Sequence, residues 1–92
     1  MTQELAEAIA LQALSHIVAE STLCSRFLEL TGMVPDDLRA RIDDISVLGA
    51  VLDFLLSDEP SLMDFCAAAD IAPQLPARAR LVLMGDTASE WG

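Results

Sequence analysis

Residues 45–57 read Ile-Ser-Val-Leu-Gly-Ala-Val-Leu-Asp-Phe-Leu-Leu-Ser, and only Ser46, Asp53 and Ser57 among them are polar. A helix that is apolar on nearly all sides has to be covered on nearly all sides. The segment is too short to cross a bilayer, which takes about 20 residues. It is therefore expected to be the buried central helix of a small bundle. Gly49 costs about 1 kcal/mol against Ala in mid-helix, so it is expected to mark a close helix crossing.

The rest of the chain supplies helices to cover that centre. Thr2 is placed to cap a helix over Gln3–Ala19, in which Leu5, Ile9, Ala13 and Ile17 form one i, i+4 row that Leu14 and Val18 widen. Ser21 or Thr22 can cap a second helix to about Thr31, with Leu23, Phe27 and Leu30 on its apolar face and Cys24 and Leu28 beside them. Gly32 suits the left-handed residue after a helix. Pro35 suits the first position of a third helix, with Leu38 and Ile42 on its apolar edge. Asp36 and Asp37 lie in its first turn and Arg39 and Arg41 at its end, the order the helix dipole favours. Asp43 or Asp44 then caps the central helix.

Asp58 is placed to cap a fifth helix, with Pro60 in its first turn and Leu62, Phe65, Cys66 and Ala69 facing inward. After a turn at Asp70-Ile71-Ala72, a sixth helix is expected from about Pro73 to Met84. Its inner row is Leu75, Ala79 and Leu83, with Val82 on the flank. Gly85 is expected to end it. The expectation is an all-α fold, a compact orthogonal bundle of five to six short helices around a buried central helix over about residues 45–57. A single domain over 1–85 is followed by a disordered tail over 86–92 that lacks periodicity.

Composition narrows the function. Hydrophobic residues make up 53% of the 92 positions, mostly Ala and Leu, and aromatics only 4%. A domain of this size has little interior. Either Ala absorbs the excess at the surface, or some Leu, Val and Met await a partner. The net charge is −10 and Lys is absent, which disfavours phosphate backbones and anionic membranes and keeps an apolar chain soluble. It also suits a basic partner. Glu4 and Glu7 stand where a signal peptide needs Lys or Arg, and no apolar run reaches a membrane span. The expected compartment is the cytoplasm, with Cys24 and Cys66 as buried structural thiols.

No constellation for chemistry emerges. His16 is the only histidine and is expected to sit on the helix surface and pair with Glu20; no nucleophile motif accompanies it. Its spacing to the two Cys fits no zinc pattern, the Asp pairs are explained by helix starts rather than by a calcium loop, and no Gly-rich phosphate loop occurs. No enzyme, metal site or cofactor is expected. Residues 71–85 hold Arg78 and Arg80 and no acid, against a net −10 over residues 1–70. Arg78 and Arg80 are expected to pair with acids on neighbouring helices; otherwise they, with Trp91, are the candidate partner-binding residues.

The segments "RFLELTG" and "VLDFLL", within the order "AEAIALQALSHIVAE…PDDLRARI…DEPSLMDFCAAADIAP", resemble a family of short bacterial proteins, domain of unknown function 3572. The resemblance covers about residues 6–80. It implies a small all-helical protein, and it carries no established activity or site residue.

The leading expectation is a non-enzymatic protein-interaction module, with a protein partner or a second copy as its ligand. The alternative is a DNA-associated regulator using a helix-turn-helix-like pair over residues 61–84, with Gln74, Ala77 and Arg78 facing the groove. A bundle binding a small molecule around the central helix is a third class, and its ligand is left open.

Overall fold

A computed structural model describes residues 1–84 of the chain. They form six helices: α1 Gln3–Ala19, α2 Ser21–Thr31, α3 Pro35–Ala40, α4 Ile45–Leu56, α5 Glu59–Ala69 and α6 Gln74–Met84. No strand occurs among the described residues. The expected stop at Gly85, the tail over 86–92 and Trp91 lie outside them.

Local chemistry sets most of the boundaries. Thr2 caps α1, its hydroxyl accepting from the Leu5 N–H at 3.1 Å. Neither Ser21 nor Thr22 caps α2. Because α1 runs through Ala19, one extended residue, Glu20, makes the whole joint, and its carbonyl accepts from the Cys24 N–H at 2.9 Å. Gly32 ends α2 at φ 73°, a left-handed conformation a Cβ would oppose, and donates to the Leu28 carbonyl at 2.8 Å. Pro35 opens α3. Asp58 takes the N-cap position of α5, but its carboxylate accepts from the Ser61 hydroxyl rather than from a backbone N–H, and lies 3.7 Å from Arg26 of α2.

Asp44, rather than Asp43, caps α4: it accepts from the Ser46 N–H at 2.8 Å and from the Arg41 guanidinium at 3.1 and 3.2 Å. The Ser46 N–H first, and Arg41 next, hold the Asp44 carboxyl below the usual carboxylate range. A carboxyl depressed in the folded state stabilises it above the unfolded value, about 3.9, and loses that contribution as pH falls through the folded value. Asp44→Asn keeps an acceptor but cannot titrate. Its melting temperature should fall below that of the parent at pH 7, and the gap should close under acid. A gap that stays constant down to pH of about 2 would contradict the assignment.

The core gathers side chains from all six helices. On α1 the expected row holds at Ile9, Ala13 and Ile17, with Leu14 beside it, but not at Leu5 or Val18, and Ala6 and Ala10 join it. An i, i+4 row rotates by about 40° per step on a 3.6-residue helix, so Leu5 and Val18 fall outside the arc that neighbours cover. The buried face is Ala6, Ala10, Ala13 and Ile17, flanked by Ile9 and Leu14. Small side chains there let α6 lie along α1, the most extensive pairing in the fold, and α4 packs on α1 as well. Likewise Leu30 of α2 and Ile42 after α3 are exposed, whereas Leu23, Phe27 and Leu38 are buried.

The helix α4 packs against α1, α2, α5 and α6, burying Val47, Leu48, Val51, Leu52, Phe54 and Leu55. It is not enclosed on all sides. Gly49 and Asp53 share an open side, and a Cβ added at Gly49 would meet no atom within 4 Å. Gly49 therefore marks no close crossing, which corrects the expectation. Gly49→Ala should stabilise the domain by about 0.5–1 kcal/mol, since it removes backbone entropy without crowding. Chemical denaturation measures this; a loss of stability would mean that a helix does approach that side.

Candidate functional site

Three concave regions are candidates, and each is built from residues already placed. The first is a hollow of about 470 Å³ between α2, α4 and α6, walled by Phe27, Leu30, Ala50, Phe54 and Ser57. Phe27 meets Phe54 edge-on with ring centroids 5.5 Å apart. At its margin Arg80 of α6 donates to the Asp53 carboxylate of α4. The two charges answer one another, so no polar group here converges on a ligand. Arg80 thus ties α6 to α4. Arg78, the other candidate, is exposed and forms no ion pair among the described residues. Gln74, Ala77 and Arg78 share exposure on α6, but α6 is held mainly by α1 and α4 and scarcely by α5. That is unlike a helix-turn-helix, where the paired helices brace each other.

The second region is a crevice of about 430 Å³ between α1 and α5. His16 does not pair with Glu20. Its ring packs on Phe65 at 5.6 Å between centroids, and its Nε2 is buried without a hydrogen-bond partner. The reason is angular: position 16 lies on the flank of α1 that faces α5, not on the solvent side. Gln12 and Ser15 stand beside it. Among the described residues no carboxylate or thiol lines this crevice beside them. Among the described residues no three His, Cys, Asp or Glu side chains cluster as metal ligands.

The third region is an apolar cleft where α1 passes α2 and α3. Leu11, Leu14, Val18 and Ile42 form one hollow of about 480 Å³. Leu14, Val18 and Ile42 also border a second of about 130 Å³ with Cys24, Leu28, Pro35, Leu38 and Arg39. The two are continuous through the three shared side chains. Leu14 and Leu38 are buried and form a fixed floor. Leu11, Val18 and Ile42 rise from it and stay 40%, 50% and 45% exposed. Composition leaves open whether such a surface exists or Ala absorbs the apolar excess. The helix pattern does not locate it, because helical spacing places Val18 and Ile42 inward and gives Leu11 no role.

Arg39 lines the smaller hollow with its side chain largely exposed, 3.9 Å from Asp36, while Arg41 is paired with Asp44 at 3.1 Å. Acids outnumber these two cations around the cleft. Glu4 and Glu7 stand on the same edge of α1 as Leu11, and Asp43 follows Ile42; none of the three forms an ion pair among the described residues. The thiols differ in setting. Cys66 is in the core, where burial pushes its thiol above the usual range. Cys24 is only half-buried and lines the cleft, which corrects the expectation that both are buried.

No described helix is long and apolar enough to cross a membrane. The family described as "Protein of unknown function (DUF3572)" matches the chain over residues 3–86, a span that includes all six helices. Comparisons with curated proteins and with solved structures give no match.

Proposed function

We infer that this chain, which belongs to the DUF3572 family, is a protein-interaction module that works through the apolar cleft of α1 and α3 rather than through catalysis. The observation that carries this reading is the continuity of the half-exposed Leu11, Val18 and Ile42 over the buried floor of Leu14 and Leu38. A partner that covers the exposed parts of Leu11, Val18 and Ile42 gains about 2–4 kcal/mol from those three side chains. That is enough to make the cleft the energetic centre of an interface whose rim supplies the rest. The acidic surface keeps the uncovered form soluble meanwhile.

The experiment is substitution at the cleft. Val18→Glu with Ile42→Glu places two charges on half-exposed positions, so the fold should persist, with an unchanged helical spectrum and a small shift in melting temperature. Proteins that co-purify with the tagged parent from its host should be lost. Retention of the same partners by the folded double variant would overturn the cleft as the interaction site. Size exclusion with light scattering separates a second copy from a different protein as the occupant.

A further inference from the structure

We propose that the occupant of the α1–α3 cleft is an amphipathic helix of another protein, apolar on one face and flanked by Lys or Arg. The proposal rests on the interaction reading above and names the chemistry of the partner.

Shape is the first support. Leu11 and Val18 are seven residues apart on one helix edge, about 10.5 Å along the axis at 1.5 Å per residue. That is the reach of two helical turns, the spacing at which i, i+3, i+4 and i+7 side chains anchor a helix in a groove. The two hollows joined by Val18 and Ile42 supply separate seats for such anchors.

Charge decides what flanks the anchors. Arg41 is paired with Asp44, and Arg39, the one cation lining the smaller hollow, has Asp36 3.9 Å away. Glu4, Glu7 and Asp43 lie at or near the edge of the apolar surface, and the chain as a whole carries −10. A second copy brings the same −10 and meets like charge at the rim. A basic helix meets opposite charge, which speeds encounter and sets orientation. The cleft therefore discriminates between apolar helices by the sign of their flanks.

The test uses the full chain and two synthetic peptides of about 18 residues, long enough to populate helix on binding. Both carry Leu at i, i+3, i+4 and i+7; one has Lys flanks and the other Glu flanks. Affinity is read by calorimetry. Occupancy of the cleft is read by the rate at which an aromatic disulfide modifies Cys24, with buried Cys66 as the slow reference. The Lys-flanked peptide should bind at least tenfold tighter than the Glu-flanked one and slow Cys24 modification. Its advantage should shrink as salt rises past about 0.15 M, where the screening length is about 8 Å. Val18→Glu should abolish both effects.

Equal binding of the two peptides overturns the basic partner but leaves the cleft as an interaction face. Binding that leaves Cys24 unprotected, or survives Val18→Glu, places the peptide elsewhere and overturns the proposal. If neither peptide binds while Val18→Glu with Ile42→Glu still releases the native partners, the interaction reading stands and the helical basic ligand falls. If a Val18-dependent dimer forms instead, the occupant is a second copy.

Discussion

Phe27→Ala should cost about 3–5 kcal/mol, the range for emptying a fully buried aromatic site. Phe27 is wholly buried and sits edge-on to Phe54 of α4 at 5.5 Å. It is the largest side chain that α2 contributes to the core. Its neighbours cannot collapse into the space. Phe54 is held from its other side by the Arg26 guanidinium, 5.7 Å from the ring centroid, and Arg26 is in turn engaged by Asp58. A domain of this size has about 5–15 kcal/mol in total. At roughly 4–8 °C per kcal/mol, the variant should melt about 12–40 °C lower or be unfolded at room temperature. Circular dichroism during urea and thermal unfolding measures it. Phe27→Leu, which keeps most of the volume, should lose much less. A loss below about 1 kcal/mol for the alanine variant would show that α2 contributes little to the fold.

The second large effect comes from adding atoms rather than removing them. Ala10 lies in the middle of the small-residue face of α1, fully buried with Ala6 and Ala13, where α1 packs against α4 and α6. Interiors are packed to about 0.74 of their volume, so three extra carbons have no room. Ala10→Leu should destabilise by about 1–3 kcal/mol or more. Ala8→Leu on the same helix is the control. Ala8 is exposed and Leu is nearly as good a helix former as Ala, so this change should stay within about 0.5 kcal/mol. Equal, small effects from the two substitutions would mean that α6 does not lie along that face.

Why the patterns of Thr2, Gly32, Pro35 and Asp44 were readable, and those of Leu5, Val18, Leu30 and Ile42 were not, has a simple cause. A cap acts within its own turn: the Thr2 hydroxyl reaches Leu5, and the Asp44 carboxylate reaches Ser46. Everything needed is within three residues. Which edge of a helix is covered depends on the direction from which another helix arrives. On α1 the covering helix α6 is about sixty positions away in sequence. The expected edge of α1 is buried at Ile9, Ala13, Leu14 and Ile17; the approach of α6 adds Ala6 and Ala10 and leaves Leu5 and Val18 uncovered. Glu20 shows the limit on the local side, because a one-residue joint leaves no room for the Ser or Thr cap that composition favours.

The same contrast separates the candidate residues. Arg80 belongs to a clasp only because α6 brings it to Asp53, twenty-seven residues earlier. His16 faces Phe65 for the same kind of reason, and its lack of a partner group is a property of the assembled crevice. The cleft at Leu11, Val18 and Ile42 likewise exists only where α1 passes α3.

The sequence by itself determined the helical class, nearly all helix boundaries, the left-handed stop at Gly32, the acidic surface and a high apolar fraction for so small a domain. These follow from backbone propensity, capping and composition, which act locally or are sums over the chain. Only the tertiary structure decided which apolar side chains stay uncovered, that α4 keeps one open side at Gly49 and Asp53, and that Arg80 is engaged. Those depend on which helix surfaces meet, and close packing selects among surfaces that are equally apolar in sequence.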